Sequence, residues 1–183
     1  IQAGADVLTT NTFSITRPQL KKFDIEDKQA ELIEAALLIA NKAQKIKESV
    51  KIGLSIGPTG VLIEPLGPTS HDEARAFFAE VSQKALAAKA KGHSFDLYIL
   101  ETFSNINELA DAITGIRSVD PHTPILASAA ISSLQTDTLQ SFVDKIVSRD
   151  DVQALGLNCS QGPSHMHGVL EKLSPQISKP IVV

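Results

Sequence analysis

Apolar runs of strand length alternate with longer segments of helical periodicity along this 183-residue chain, a pattern that a parallel α/β sheet satisfies. Six runs read as strands: Asp6–Asn11, Lys51–Ile56, Phe95–Glu101, Pro124–Ala129, Val152–Asn158 and Lys179–Val183. Between the first two, Asp27–Ser49 carries Leu32, Ala36, Ile39, Ala43 and Ile46, the three-and-four spacing of one helix face. Ser70 with Glu73 makes a capping box for a helix reaching about Lys91. Further helices are expected near Ile106–Ser118, Thr138–Ser148 and Ser164–Leu173.

Ile1-Gln-Ala-Gly-Ala5 reads as the last turn of a helix delivering into a strand, and Val183 stops inside a strand. The chain thus reads as an excerpt of a longer protein. Six strands plus one missing at each end make the eight of a (β/α)₈ TIM barrel. The expectation is one partial barrel domain over residues 1–183, with about six βα units and without the first and last strands. The structural rival is an open doubly wound sheet, which needs only five or six strands.

Composition narrows the function. Hydrophobic residues make up 43% of the chain, enough for a sizeable core. Lys and Arg total 17 against 21 Asp and Glu, a net charge of −4, with 4% aromatics and no basic stripe, so nucleic acid is not an expected partner. One cysteine cannot form an internal disulfide, and neither a signal peptide nor a bilayer-length apolar run is present. The sequence therefore reads as a cytoplasmic protein with no membrane partner.

In a barrel the carboxyl ends of all strands share one face, where chemistry is built. That face would receive Thr10, Asn11 and Thr12, then Ser55 and Gly57, then Glu101, Ser128, and finally Asn158 and Cys159. Cys159, the lone thiol, ends an apolar strand and precedes a Gly162-Pro163 turn; its alternative reading is a buried structural thiol. Glu101 emerges from Leu97-Tyr-Ile-Leu100, and a semi-buried carboxylate there needs a cation or hydrogen-bond donors to stay charged. A substrate ammonium meets that need; a helix N-terminal acid or a salt bridge to a neighbouring lysine is the alternative. Gly57-Pro58-Thr59-Gly60 reads as a tight turn whose glycines let backbone approach a ligand. The five histidines, His71, His93, His122, His165 and His167, read as solvated surface residues, and no dinucleotide or phosphate-loop fingerprint is present.

Taken in order, Ala3-Gly-Ala-Asp-Val-Leu-Thr-Thr-Asn-Thr-Phe13, Ser55-Ile-Gly-Pro-Thr-Gly60, Glu101-Thr-Phe-Ser104 and Gly156-Leu-Asn-Cys-Ser-Gln-Gly-Pro163 resemble the homocysteine S-methyltransferase family. The resemblance spans nearly the whole chain. It implies a (β/α)₈ barrel with zinc at its mouth, and transfer of a methyl group to the homocysteine thiol to give methionine. Carried over, Cys159 is a catalytic zinc ligand, Glu101 receives the amino group of homocysteine, and Asn11, Ser55 and Asn158 join it in binding substrate. The methyl donor implied is cobalamin charged from methyltetrahydrofolate, through other domains of a parent protein; betaine or S-methylmethionine is the alternative donor. A non-enzymatic α/β binding module with Cys159 buried is the rival function.

The family's adjacent cysteine pair and its aspartate-glycine-rich first strand are absent from this sequence, so the resemblance implies that these 183 residues alone are catalytically incompetent. After the fourth strand, Ser128-Ala-Ala-Ile-Ser-Ser-Leu-Gln-Thr136 is short and lacks an expected Gly-rich loop.

Overall fold

All six apolar runs fold as strands, and all pair in parallel in chain order, forming a curled six-stranded sheet. The computed structural model describes residues 1–132 and 136–183, with the side chains of 136 and 137 outside that description. The strands are β1 (Val7–Thr9), β2 (Lys51–Ile56), β3 (Leu97–Phe103), β4 (Ile125–Ala129), β5 (Ala154–Leu157) and β6 (Ile181–Val182). A doubly wound sheet reverses its strand order at a switch point; this sheet never does, so it is part of a (β/α)₈ barrel rather than the open-sheet rival.

The helices are α1 (Arg17–Lys21), α2 (Gln29–Gln44), α3 (His71–Ala90), α4 (Ile106–Arg117), α5 (Thr136–Phe142), which runs into a single π turn at Val143–Val147, and α6 (Pro163–Leu173). Ser70 caps α3 as its spacing requires: its hydroxyl accepts from the Glu73 N–H, and the Glu73 carboxylate accepts from the Ser70 N–H. In α2 the structure buries a different face from the expected one. Gln29, Ile33, Ala36, Leu37 and Ala40 pack inward, whereas Ile39 and Ile46 are 63% and 72% exposed. Two apolar stripes compete on this segment, and the one led by Ile33 and Leu37 faces the sheet. Part of the Ser128–Thr136 loop lies outside the described residues.

The sheet alternates strictly enough to separate two surfaces. Ile52, Leu54, Tyr98, Leu100, Ile125, Ala127 and Leu155 point under the helices and make the core with Ile33, Phe78, Val81, Leu109 and Ile113. The opposite set lines the concave inner face. At the amino ends of the strands, Arg117 donates to the carbonyls of Asp120, Thr123 and Asp151, and the buried Tyr98 hydroxyl bonds Ser82 and Asp120. These bonds tie the amino ends of the strands to the loops that precede them.

Candidate functional site

The site grows from the ends of β1 and β2. The Ser55 N–H donates to Thr10 Oγ1 at 3.1 Å, and Thr12 Oγ1 donates to the Ser55 carbonyl at 2.6 Å. With Thr10 and Thr12 hydroxyls 2.6 Å apart, the three residues close a hydrogen-bonded ring that fixes the Ser55 backbone. Its hydroxyl is thereby aimed at β3, where it donates to Glu101 Oε1 at 2.5 Å. No Lys or Arg pairs with Glu101 among the described residues, which sets aside the salt-bridge reading of this carboxylate.

β3 is irregular at this point. Leu100 pairs with Ala127 and Phe103 with Ala129, so Glu101 and Thr102 together stand opposite the single residue Ser128. This is a β-bulge, a device that re-aims side chains beside functional sites. Thr102 takes the left-handed conformation, φ 66°, which a β-branched residue adopts only when its surroundings hold it there. Asn158 supplies that hold: its Oδ1 accepts from the Thr102 N–H at 2.9 Å and from Ser128 Oγ at 2.7 Å, and its Nδ2 donates to Thr102 Oγ1 at 2.8 Å. The next residue, Cys159, is exposed and also left-handed, φ 53°.

Glu101, Ser128 and Asn158 line a cavity of about 350 Å³ on the concave face, with Val7, Ile99 and Gly156 below them. Glycine is required at 156, because a Cβ there would lie 2.7 Å from that of Ser128 and displace it from Asn158.

Ser55, Glu101 and Asn158 of the expected set are thus brought together, with Cys159 next in chain. Asn11 is not among them: β1 ends at Thr9, and Asn11 is exposed in a separate cleft with Ile15, Leu20 and Leu32. The burial expected of a structural thiol does not apply to Cys159. Thr102 is the functional-site residue that sequence reasoning missed, since nothing in Glu-Thr-Phe marks a bulge. The Gly57–Gly60 turn packs closely on protein: a Cβ at Gly57 would meet the Phe13 ring at 2.5 Å, and one at Gly60 the Gln19 amide at 2.4 Å.

The histidines also depart from expectation. Only His122 and His167 are solvent-exposed; His71 pairs with the buried Asp111 at 2.5 Å, and His165 reaches the Ile131 carbonyl at 3.3 Å. Among the described residues no three His, Cys, Asp or Glu side chains cluster as metal ligands. A catalytic zinc takes about three protein ligands, and the described residues bring no such set together.

Thr59 joins the mouth to α4, its N–H and hydroxyl donating to Glu108 Oε1 at 2.7 and 2.6 Å. Burial holds the Glu108 carboxyl above the usual carboxylate range; the two bonds from Thr59 oppose this, and nearby Asp111 adds to it. A carboxyl raised in the folded state contributes stability that is fully present below its unfolded value and lost as pH rises through the folded one. Glu108→Gln keeps an acceptor for Thr59 and removes the titration. Thermal melts are expected to match wild type near about pH 4 and to be a few degrees higher near about pH 8. Equal differences at the two pH values would mean that Glu108 is not the titrating group.

Similarity to known proteins agrees with this geometry. The chain is 28% identical over 194 aligned residues to the methionine synthases of Mycobacterium tuberculosis H37Rv and Mycobacterium leprae. The match covers 100% of this chain and 16% of each of those proteins. Two crystal structures of the Escherichia coli homocysteine methyltransferase MmuM, metallated and apo, superpose with TM-scores of 0.74 and 0.73. They are 20% and 21% identical, and the match covers 100% of this chain and 67% and 66% of theirs, which establishes the shared fold. The family model for homocysteine S-methyltransferase matches residues 1–183, so the chain belongs to that family.

Proposed function

We propose that this chain carries the homocysteine-binding site of an enzyme that transfers a methyl group to the homocysteine thiol, giving methionine. The observation that carries this reading is the Glu101 carboxylate. It is fixed on one oxygen by Ser55, lacks a cationic partner among the described residues, and opens into a cavity whose rim continues through Asn158 to an exposed thiol. Homocysteine has the complementary ends, an ammonium for Glu101 and a thiol for the Cys159 side. Ser55 serves by orienting Glu101.

Cys159 is read as one ligand of a zinc ion completed by residues other than those described. Bound zinc lowers the pKa of a coordinated thiol and leaves it nucleophilic. The donor in this reading is cobalamin charged from methyltetrahydrofolate and held by other segments of the intact protein; the 28% identity to two methionine synthases over the whole chain supports methionine as the product. The exposed free thiol suits the reducing cytoplasm, and no helix among the described residues is long and apolar enough to cross a membrane.

The test is methionine formation by the intact protein given homocysteine and, separately, methyltetrahydrofolate with cobalamin, betaine or S-methylmethionine, read by mass spectrometry. Methionine with the first donor is expected. Methionine with betaine or S-methylmethionine alone would reassign the donor, and none with any donor would overturn the reading.

A further inference from the structure

We propose that Asn158 is a positioning residue, whose side-chain amide locks the bulge behind Glu101 to the turn that presents Cys159. The inference rests on the homocysteine reading above.

Two non-glycine residues of this site, Thr102 and Cys159, hold left-handed backbone, and each directly follows a proposed site residue, Glu101 and Asn158. Such strain persists only where neighbours over-determine it. At Thr102 one side chain does so. Asn158 accepts from the Thr102 N–H, donates to the Thr102 hydroxyl and accepts from Ser128, while its own N–H donates to the Ala129 carbonyl at 3.2 Å. Three of its side-chain hydrogen-bonding positions are therefore committed to β3 and β4, which leaves little for a substrate. Gly156 keeps Ser128 within reach by lacking a Cβ. The amide thus sets where Glu101 leaves β3 and where Cys159 leaves β5, and its absence would let the bulge relax to ordinary extended backbone.

The test compares wild type, Asn158→Ala, Thr102→Gly and the double variant in the intact protein. Homocysteine affinity is measured by calorimetry, and amide exchange of the 98–105 segment by mass spectrometry. Asn158→Ala is expected to speed exchange at Thr102 and weaken homocysteine binding about tenfold, the low end of what losing a hydrogen bond to the charged Glu101 would cause. Glycine adopts the left-handed region without penalty, so Thr102→Gly should recover much of that loss in the double variant. A purely structural Asn158 would lower the melting temperature and leave the affinity of the folded protein intact. An affinity loss that Thr102→Gly does not relieve would mean that Asn158 touches substrate; either result overturns the proposal. Should Asn158→Ala fail to fold, Ser128→Ala removes one clamp bond and should raise exchange at Thr102 by a smaller amount; unchanged exchange there overturns the clamp. Absence of homocysteine binding by wild type would count against the functional reading, while the exchange data would still decide the clamp.

Discussion

Cys159→Ser is expected to abolish methyl transfer by the intact protein and to lower its bound zinc, while the fold survives. The thiol is exposed, so the substitution buries no hydroxyl and leaves no cavity. Its effect on stability should stay within about 0.5 kcal/mol, the range of surface changes away from special features. A buried thiol would behave oppositely, losing about 1–3 kcal/mol of stability with activity largely kept at low temperature. Serine also accepts the left-handed backbone as poorly as cysteine does, which cancels strain from the comparison. Zinc per chain by elemental analysis, with a thermal melt on the same sample, separates the cases. The 183 residues alone, with one thiol, should bind zinc without defined stoichiometry, because a catalytic site takes about three protein ligands. Stoichiometric zinc in the intact Cys159→Ser protein would contradict the assignment.

Glu101→Gln should raise the homocysteine KM by roughly 10- to 150-fold, the equivalent of the 1.5–3 kcal/mol that a hydrogen bond to a charged group contributes. Glutamine keeps the size and an acceptor for the Ser55 hydroxyl, so the bulge and the Thr10–Thr12–Ser55 ring remain in place. Only the charge toward the ammonium is lost. Zinc content should not change, since Glu101 is not a ligand in this reading. An unaltered KM would make the carboxylate structural.

Much of the fold was legible because the strands are apolar runs between strongly periodic helices, and such an alternation builds a parallel sheet. The capping box at Ser70 was legible because it is local chemistry. The buried face of α2 was not. Leu32, Ile39 and Ile46 offer an apolar stripe as plausible as Ile33, Leu37 and Ala40, and only the position of the sheet chooses between them. At the site, Ser55, Glu101, Asn158 and Cys159 could be named from strand ends and motif order. Asn11 does not line the same cavity, because β1 stops two residues earlier. The left-handed Thr102 was invisible for a physical reason: a β-branched residue argues for regular strand, and its conformation is imposed by Asn158, 56 residues away. Likewise the Thr59–Glu108 link spans 49 residues and leaves no local mark.

The most direct measurement is a crystal structure of the intact protein with homocysteine bound. The expected result places its ammonium within about 3 Å of the Glu101 carboxylate, with Ser55 still donating to the same side chain and the thiol directed to the Cys159 side. Homocysteine seated away from the concave face, with Glu101 bonded to Ser55 alone, would contradict the assignment.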